Sequence, residues 1–362
     1  MGLKPRRYDM IEGVLGKVGG KGAVPMSADE PSPRDTLLQM TNAFQISQAI
    51  YVAATLGIAD LLEDGPRRVD ELAQATGTHA PTLYRLLRAL ASVGIFVETD
   101  VRFGLTPLAE YLRTDTPGSL RAFVRLIGQE YFWRSWGHLL HSVGTGEPAF
   151  RNLYGRSLWE YWAAHPEEDA VFNAAMTSLS SGVVDAVVRS YDFSGIGVLV
   201  DVGGGEGALL AAILAANPSL RGILFDQPHV VGSVGALLER VGVADRCEIV
   251  GGSFFEAVPA GADAYLLKSV IHDWDDDVTI EILRSCRAAM DDRGKLLVVE
   301  RIIRPGNDPD PAKFSDLNML VVPGGQERTA DDFELLYAEA GFKLSNIIPT
   351  GSPYNIIEGT PV

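Results

Sequence analysis

Apolar residues fall in short unbroken runs along the second half of the chain, at 198–202, 222–225, 247–250, 264–267 and 296–299. Stretches with helical spacing, such as 229–241 and 277–290, lie between them. Runs of this kind predict strands buried on both faces, and their alternation with helices predicts a parallel, doubly wound α/β sheet. Two further apolar stretches, at 343–348 and 354–358, predict a closing antiparallel hairpin. Upstream the periodicity is helical. Segment 69–90 reads as helix, Gly77 turn, helix, and 94–98 and 102–105 read as two short strands around Thr99-Asp100. Residues 116–190 are helical and rich in aromatics, including Tyr131, Trp136, Trp159, Trp162 and Phe172. Phe172, Asn173 and Met176 share one helix face there. Four segments result: a flexible tail over 1–33, an α-rich domain over 34–115, a helical linker and pocket region over 116–190, and the α/β domain over 191–362.

Helix, turn, helix and a two-stranded wing is the winged-helix pattern, whose plainest use is DNA binding. Charge weighs against that use. Between Asp35 and Asp115 there are 6 Arg and Lys against 10 Asp and Glu. The whole chain carries a formal charge of −16, which disfavours nucleic acid or an anionic membrane as partner. A scaffold or dimerisation role fits better, because so short an apolar domain leaves surface for a second copy. A ligand-sensing regulator stays as the alternative. No apolar run approaches the ~18 residues of a membrane span. The basic N-terminus lacks the apolar core of a secretory signal, so a cytoplasmic protein is expected. Cys247 falls in a predicted strand and Cys286 in a predicted helix, which reads as two buried free thiols rather than a disulfide or metal site.

The first strand of the α/β domain runs into Asp201-Val-Gly-Gly-Gly-Glu-Gly207 and then into a helix. Gly203, Gly205 and Gly207 let the backbone turn tightly and approach a ligand, and the helix start offers unpaired N–H groups. Asp226 closes the next strand about twenty residues on, where a ribose diol is gripped. Gly203-x-Gly205-x-x-Ala208 also satisfies the relaxed dinucleotide fingerprint, so NAD and S-adenosylmethionine both remain open on this motif. The contracted Gly205-x-Gly207 spacing and the position past mid-chain favour S-adenosylmethionine.

Gly203, Asp226, Ser253, Lys268 and Glu300 all fall at carboxyl ends of predicted strands, where such sheets bind ligands. His272, four residues after Lys268, projects from the same edge, and histidine is the side chain best suited to take a proton near neutral pH. Glu300 and Glu327 flank it as carboxylates that orient an imidazole and stabilise its charged form. Glu327 also reads as no more than a charge beside a helix cap at Thr329.

These motifs together resemble the small-molecule O-methyltransferases, of the caffeate type in plants and the polyketide- and phenazine-tailoring type in bacteria. The resemblance runs from about residue 35 to the end. It is carried by Leu199-Val-Asp-Val-Gly-Gly-Gly-Glu-Gly207, Phe225-Asp-Gln-Pro-His229, Gly252-Ser-Phe-Phe-Glu-Ala-Val-Pro259, His272-Asp-Trp274, Asp316-Leu-Asn-Met-Leu320 and Gly324-Gly-Gln-Glu-Arg-Thr329. It implies a Rossmann-like methyltransferase domain behind an intertwined homodimerisation domain. S-adenosylmethionine would be the methyl donor, S-adenosylhomocysteine the product, and no metal is implied. It further implies that His272 is the base with Glu300 and Glu327 beside it. Asp201, Gly203, Gly205, Asp226, Gln227, Ser253, Phe254 and Lys268 would hold the cofactor. Phe172, Asn173, Met176, Asp273 and Met319 would line the pocket of a small hydroxylated acceptor. Some relatives turn the same site to hydroxylation or rearrangement, which an intact His-Glu-Glu set argues against. One position departs from the family, which usually has Asp facing the adenine amino group where this chain has Ser253. An uncharged acceptor there makes a hydrogen bond roughly half as strong.

Overall fold

The computed structural model describes residues 31–232 and 234–362. The chain forms two units that meet in sequence between Gln129 and Glu130. The tail expected over 1–33 lies, up to residue 30, outside the described residues.

In the first unit, α1 (Pro33–Thr55) starts at Ser32, whose hydroxyl accepts from the Asp35 N–H at 3.1 Å. Strand β1 (Arg67–Arg68) leads into α2 (Val69–Thr76), and Gly77, at φ +65°, turns the chain into α3 (Ala80–Ser92). β2 (Phe96–Thr99) and β3 (Arg102–Leu105) pair antiparallel and take β1 onto the far edge of β3. The hairpin turn is Asp100-Val101, both at positive φ, one residue beyond the expected position. Two left-handed residues in a two-residue turn match the twist of the flanking strands, and β-branched Val101 disguises that turn in sequence. Leu72, Leu83, Leu87, Leu90, Phe96 and Phe103 form the core. The amino-terminal half of α1 leaves Leu37, Leu38, Met40 and Phe44 exposed, with Leu37 at 66%.

In the second unit, helices α4 (Glu130–Gly137), α5 (Leu158–Ala164) and α6 (Pro166–Ser190) precede a seven-stranded sheet. Its strands are β4 (Val198–Val202), β5 (Arg221–Asp226), β6 (Cys247–Gly251), β7 (Ala264–Lys268), β8 (Lys295–Glu300), β9 (Phe342–Pro349) and β10 (Asn355–Pro361). The order is β6-β5-β4-β7-β8-β10-β9, parallel from β6 to β8 and antiparallel in the closing hairpin. The expected doubly wound sheet is therefore the observed one. Each face carries its own apolar cluster, one around Leu199, Leu210 and Leu224, the other around Val200, Leu267 and Ile282. That two-sided burial is why the central strands read as continuous apolar runs. Helices α7 (Ala208–Ala216), α8 (Asp276–Ala289), α9 (Pro311–Val321) and α10 (Ala330–Glu339) complete the unit.

Two expectations need correcting. The helix over 229–241 is two pieces, Pro228–Val231 and Gly235–Val241, because Gly232 and Gly235 disfavour a continuous helix. Cys247 is only half-buried, since β6 is the sheet edge, whereas Cys286 is buried as expected. Among the described residues no single helix is long and apolar enough to cross a membrane.

Candidate active site

The parallel strands present their carboxyl ends along one edge, and the chain starts the sheet at β4 before returning on its other side at β7. A crevice at such a switch point is where open α/β sheets bind ligands. On the β4 side, Gly203 and Gly204 donate their N–H groups to Phe225 O at 2.8 and 3.3 Å, pinning the glycine loop to β5. A Cβ on Gly203 would lie 2.8 Å from Val270, and one on Gly204 2.4 Å from Leu224, so both positions are sterically closed. Gly205, at φ +58°, has nothing within 4 Å of a built Cβ; it is the open side of the loop. Asp226 accepts from Gly205 N at 2.8 Å and from Gln227 N at 2.6 Å, which fixes its carboxylate at the loop's mouth. Burial pushes its pKa up and these two bonds oppose that. The Gly252 N–H donates to Asp226 O at 3.0 Å, bringing the half-buried Ser253 and Phe254 alongside. Ser253 Oγ accepts from Phe255 N at 3.3 Å.

Asp201 is buried beneath the loop, and its Oδ2 has no hydrogen-bond partner among the described residues. Burial pushes this carboxyl up to about 7, with Lys268 pulling it back. Lys268 is itself held down by burial and supported by Glu300 and Asp201. An open glycine loop with a fixed carboxylate at its mouth fits a nucleoside whose ribose offers two hydroxyl donors. A buried acidic floor fits a ligand that is positively charged near the loop.

Beyond Lys268 the backbone is forced. Ser269 takes φ +55°, unusual for a residue with a side chain, and such outliers gather at functional loops. The short 3₁₀ turn Ile271–Asp273 then presents His272. Its Nδ1 lies 3.3 Å from Glu327 Oε1 and 3.5 Å from Glu300 Oε2, and its Nε2 lies 3.7 Å from Asp273 Oδ1. Both glutamates are buried. They are held unequally. Glu327 Oε1 also accepts from Ser315 Oγ at 2.6 Å and Arg301 Nη1 at 3.4 Å, while Glu300 Oε1 accepts from Val270 N at 3.0 Å. Burial raises the Glu300 pKa; for Glu327 it is outweighed by His272, Ser315 and Arg301, which hold it below its usual value. Burial alone would lower the imidazole pKa, but Glu300, Asp273 and Glu327 push it up to about 10. Burial pushes Asp273 up to about 7 against the pull of His272. The nitrogen and carboxylate atoms of His272, Glu300 and Glu327 lie within 4.8 Å of one another, close enough for one cation to sit among them.

Sequence reasoning placed both glutamates correctly near His272 but left open that both sit on its Nδ1 edge. It assigned Asp273 to the acceptor pocket, and the structure brings it to the Nε2 edge of the ring. It missed Arg301 and Ser315, whose only visible signal is that Arg301 adjoins Glu300 and Ser315 adjoins the Asp316 motif. Of the expected pocket residues, Phe172 stacks on Trp162 with ring centroids 4.0 Å apart, and Met176 is half-buried on the same helix. Asn173 donates to Asp169 at 3.1 Å, while Met319 is buried on α9. Trp159 on α5 stacks on Trp274, two residues after His272, at 5.9 Å. Thr177 on α6 donates to Glu206 in the glycine loop at 2.7 Å. The aromatic helices thus pack against both the glycine loop and the histidine turn.

Comparison with known proteins gives matches along nearly the whole chain. Residues 136–343 match the O-methyltransferase domain family, and residues 38–115 match the O-methyltransferase dimerisation domain. The chain is 49% identical to a phenazine O-methyltransferase (PhzM) of Lysobacter antibioticus, across 94% of this chain and 98% of that protein. It is 41% identical to the mitomycin biosynthesis 6-O-methyltransferase of Streptomyces lavendulae, across 92% and 96% respectively. Among solved structures it is similar to the neocarzinostatin-biosynthesis O-methyltransferase NcsB1, crystallised with S-adenosylmethionine and 2-hydroxy-5-methyl naphthoic acid. That similarity has a TM-score of 0.78 at 36% identity and covers 88% of this chain and 96% of that one.

Proposed function

The chain belongs to the O-methyltransferase family, and from that premise we propose that it methylates a hydroxyl of an aromatic or polyketide-like small molecule, with His272 taking up the hydroxyl proton. The observation that carries this reading is the burial of Glu300 and Glu327 together on the Nδ1 edge of His272, beside the glycine loop. Bound S-adenosylmethionine supplies a methyl group already activated by its positive sulfur. What the chain must add is alignment, which contributes up to ~7–11 kcal/mol, and removal of the hydroxyl proton, a further ~10²–10⁴-fold.

With Nδ1 bonded to Glu327 and facing Glu300, Nε2 is the nitrogen left to meet the acceptor O–H. Asp273 stands beside that nitrogen and, pushed up to about 7, shares protons with it. Proton uptake therefore belongs to the whole cluster, which titrates as a coupled unit. Asp226 with Gly205 would hold the ribose, Asp201 and Lys268 the charged end, and Gln227, Ser253 and Phe254 the base. Phe172, Asn173, Met176 and Met319 would wall the acceptor. An activated methyl needs no Lewis acid, and Arg301 already partners Glu327, so no metal is assigned. The exposed Leu38, Met40 and Phe44 of α1, within the stretch that matches the dimerisation domain, and the adjoining Leu37 support a homodimer.

The test has two arms. Calorimetry should show S-adenosylhomocysteine binding and no comparable binding of NAD. Incubation with labelled S-adenosylmethionine and a panel of hydroxyphenazines and hydroxynaphthoates should label at least one acceptor on oxygen. Tight NAD binding with no methylated product from any acceptor refutes the reading.

A further inference from the structure

Arg328 is the largest fully buried side chain among the described residues, and none of the chemistry above uses it. Its Nη1 donates to Ile271 O at 2.8 Å, and its Nη2 to Trp274 O at 2.9 Å and Thr279 Oγ1 at 3.1 Å. Its Nε donates to Asp276 Oδ1 at 3.0 Å. The two carbonyls, one opening the 3₁₀ turn and one just past it, bracket His272 and Asp273. The third carbonyl, His272 O, accepts from the Gln326 N–H at 2.9 Å. Gly325 lies flat against the same turn: a Cβ there would come within 2.0 Å of His272 O and 2.4 Å of the Asp273 carbonyl carbon. The segment that grips the turn also carries Glu327, whose Oε1 faces His272 Nδ1.

From this arrangement we propose that Arg328 is a positioning residue for the proton-accepting imidazole: it locks the His272 turn onto the segment that bears Glu327, so that ring and carboxylate keep one separation. The proposal rests on the reading of His272 given above. The physical reasons are specific. Burying a guanidinium is costly, and an apolar side chain of similar volume often stabilises a core as well or better. Among the described residues its one ion pair is with Asp276, whose side chain is 58% exposed. What an apolar residue lacks is a rigid, planar set of donors able to reach carbonyls on both sides of a turn at once. Lysine lacks it too, since its ammonium is a single point. Ring and carboxylate come from positions 55 residues apart, and no shorter covalent path fixes their distance.

The experiment compares wild type, Arg328→Lys and Asp276→Ala, the last because it loosens the guanidinium from an exposed residue and leaves the fold intact. The ring ¹⁵N signals of His272, assigned by their loss in His272→Ala, are read in the presence of S-adenosylhomocysteine. Arg328→Lys should move them from carboxylate-bound values towards those of a solvated histidine, with the dissociation constant of S-adenosylhomocysteine within about twofold of wild type. Asp276→Ala should move them the same way by less, and decides the matter if Arg328→Lys does not fold. With an acceptor that wild type methylates, Arg328→Lys should lower kcat by ~10–100-fold, the range for a group that orients a functional one. In a His272→Ala background the same change should cost less than about twofold, since residues acting as one unit are not additive. Ring signals unmoved in both variants, or equal losses of kcat in both backgrounds, overturn the proposal. The ring signals need no acceptor, so a failure to find methyl transfer counts against the proposed reaction and leaves the positioning role to be decided by them.

Discussion

Replacing Glu327 by glutamine keeps a hydrogen-bond acceptor beside His272 and removes one negative charge. The Oε1 to Nδ1 separation of 3.3 Å sets the scale. At an effective dielectric of ~20 a unit pair at that distance is worth ~5 kcal/mol, and one pKa unit corresponds to ~1.4 kcal/mol. Solvent and the remaining carboxylates absorb part of this, and opposite charges at such range move a pKa by ~1–3 units. The charges of Glu300 and Asp273 each weigh more heavily on the ring than the charge of Glu327, the part that glutamine removes, which places the shift at the lower end. The sign is fixed. Losing an anion destabilises the imidazolium, so the ring pKa falls from about 10 and proton acceptance begins at lower pH. The kcat–pH profile of Glu327→Gln should therefore rise ~1–2 units earlier than that of wild type, with a ¹⁵N titration of His272 moving in step. Stability moves consistently. The ring's raised pKa stabilises the fold fully below its unfolded value of ~6.5 and loses that contribution as pH rises through about 10. In the variant that contribution is smaller and is exhausted at lower pH. A kinetic limb that stays in place, or moves to higher pH, refutes the assignment of Glu327 as the imidazole's charged partner.

Other outcomes follow from the same geometry. His272→Ala should lower turnover ~10²–10⁴-fold while calorimetry shows S-adenosylhomocysteine binding nearly unchanged; undiminished turnover rejects it as the base. Asp226→Ala should weaken that binding by ~1.5–3 kcal/mol, because a charged acceptor at the loop's mouth is lost; an unchanged dissociation constant removes it from the ribose site. Leu37→Asp with Phe44→Asp should turn a homodimer into a monomer in light scattering, and a persistent dimer places the interface elsewhere. Exhaustive chelation should leave turnover unaltered; a large loss that a divalent cation restores would put a metal among His272, Glu300 and Glu327.

The sheet was legible because burial on both faces leaves no polar alternation, so its central strands could be bounded to within about a residue. The glycine loop was legible for the complementary reason that only glycine tolerates its angles. Where conformation departed from residue preference the reading slipped: Val101 at φ +61° hides the hairpin turn. In the site, strand ends pointed to His272 and Glu300, but sequence carries no record of which ring nitrogen each carboxylate meets. Arg301 reaches Glu327 across 26 residues and Arg328 reaches Ile271 across 57, separations that only the folded backbone closes.

The loop alone admitted two nucleosides, and electrostatics offers a physical reason to prefer one. Asp201, Glu206 and Asp226 lie in or beside the glycine loop, and Lys268 is the basic group coupled to Asp201 from the neighbouring strand. A dinucleotide would bring a pyrophosphate with two negative charges against this acidic floor. S-adenosylmethionine brings a sulfonium and an ammonium, both favoured by the same carboxylates. Lys268 also feels Glu300, so the carboxylate beneath the glycine loop and the carboxylate beside His272 act on one basic group, which lies between the two halves of the site.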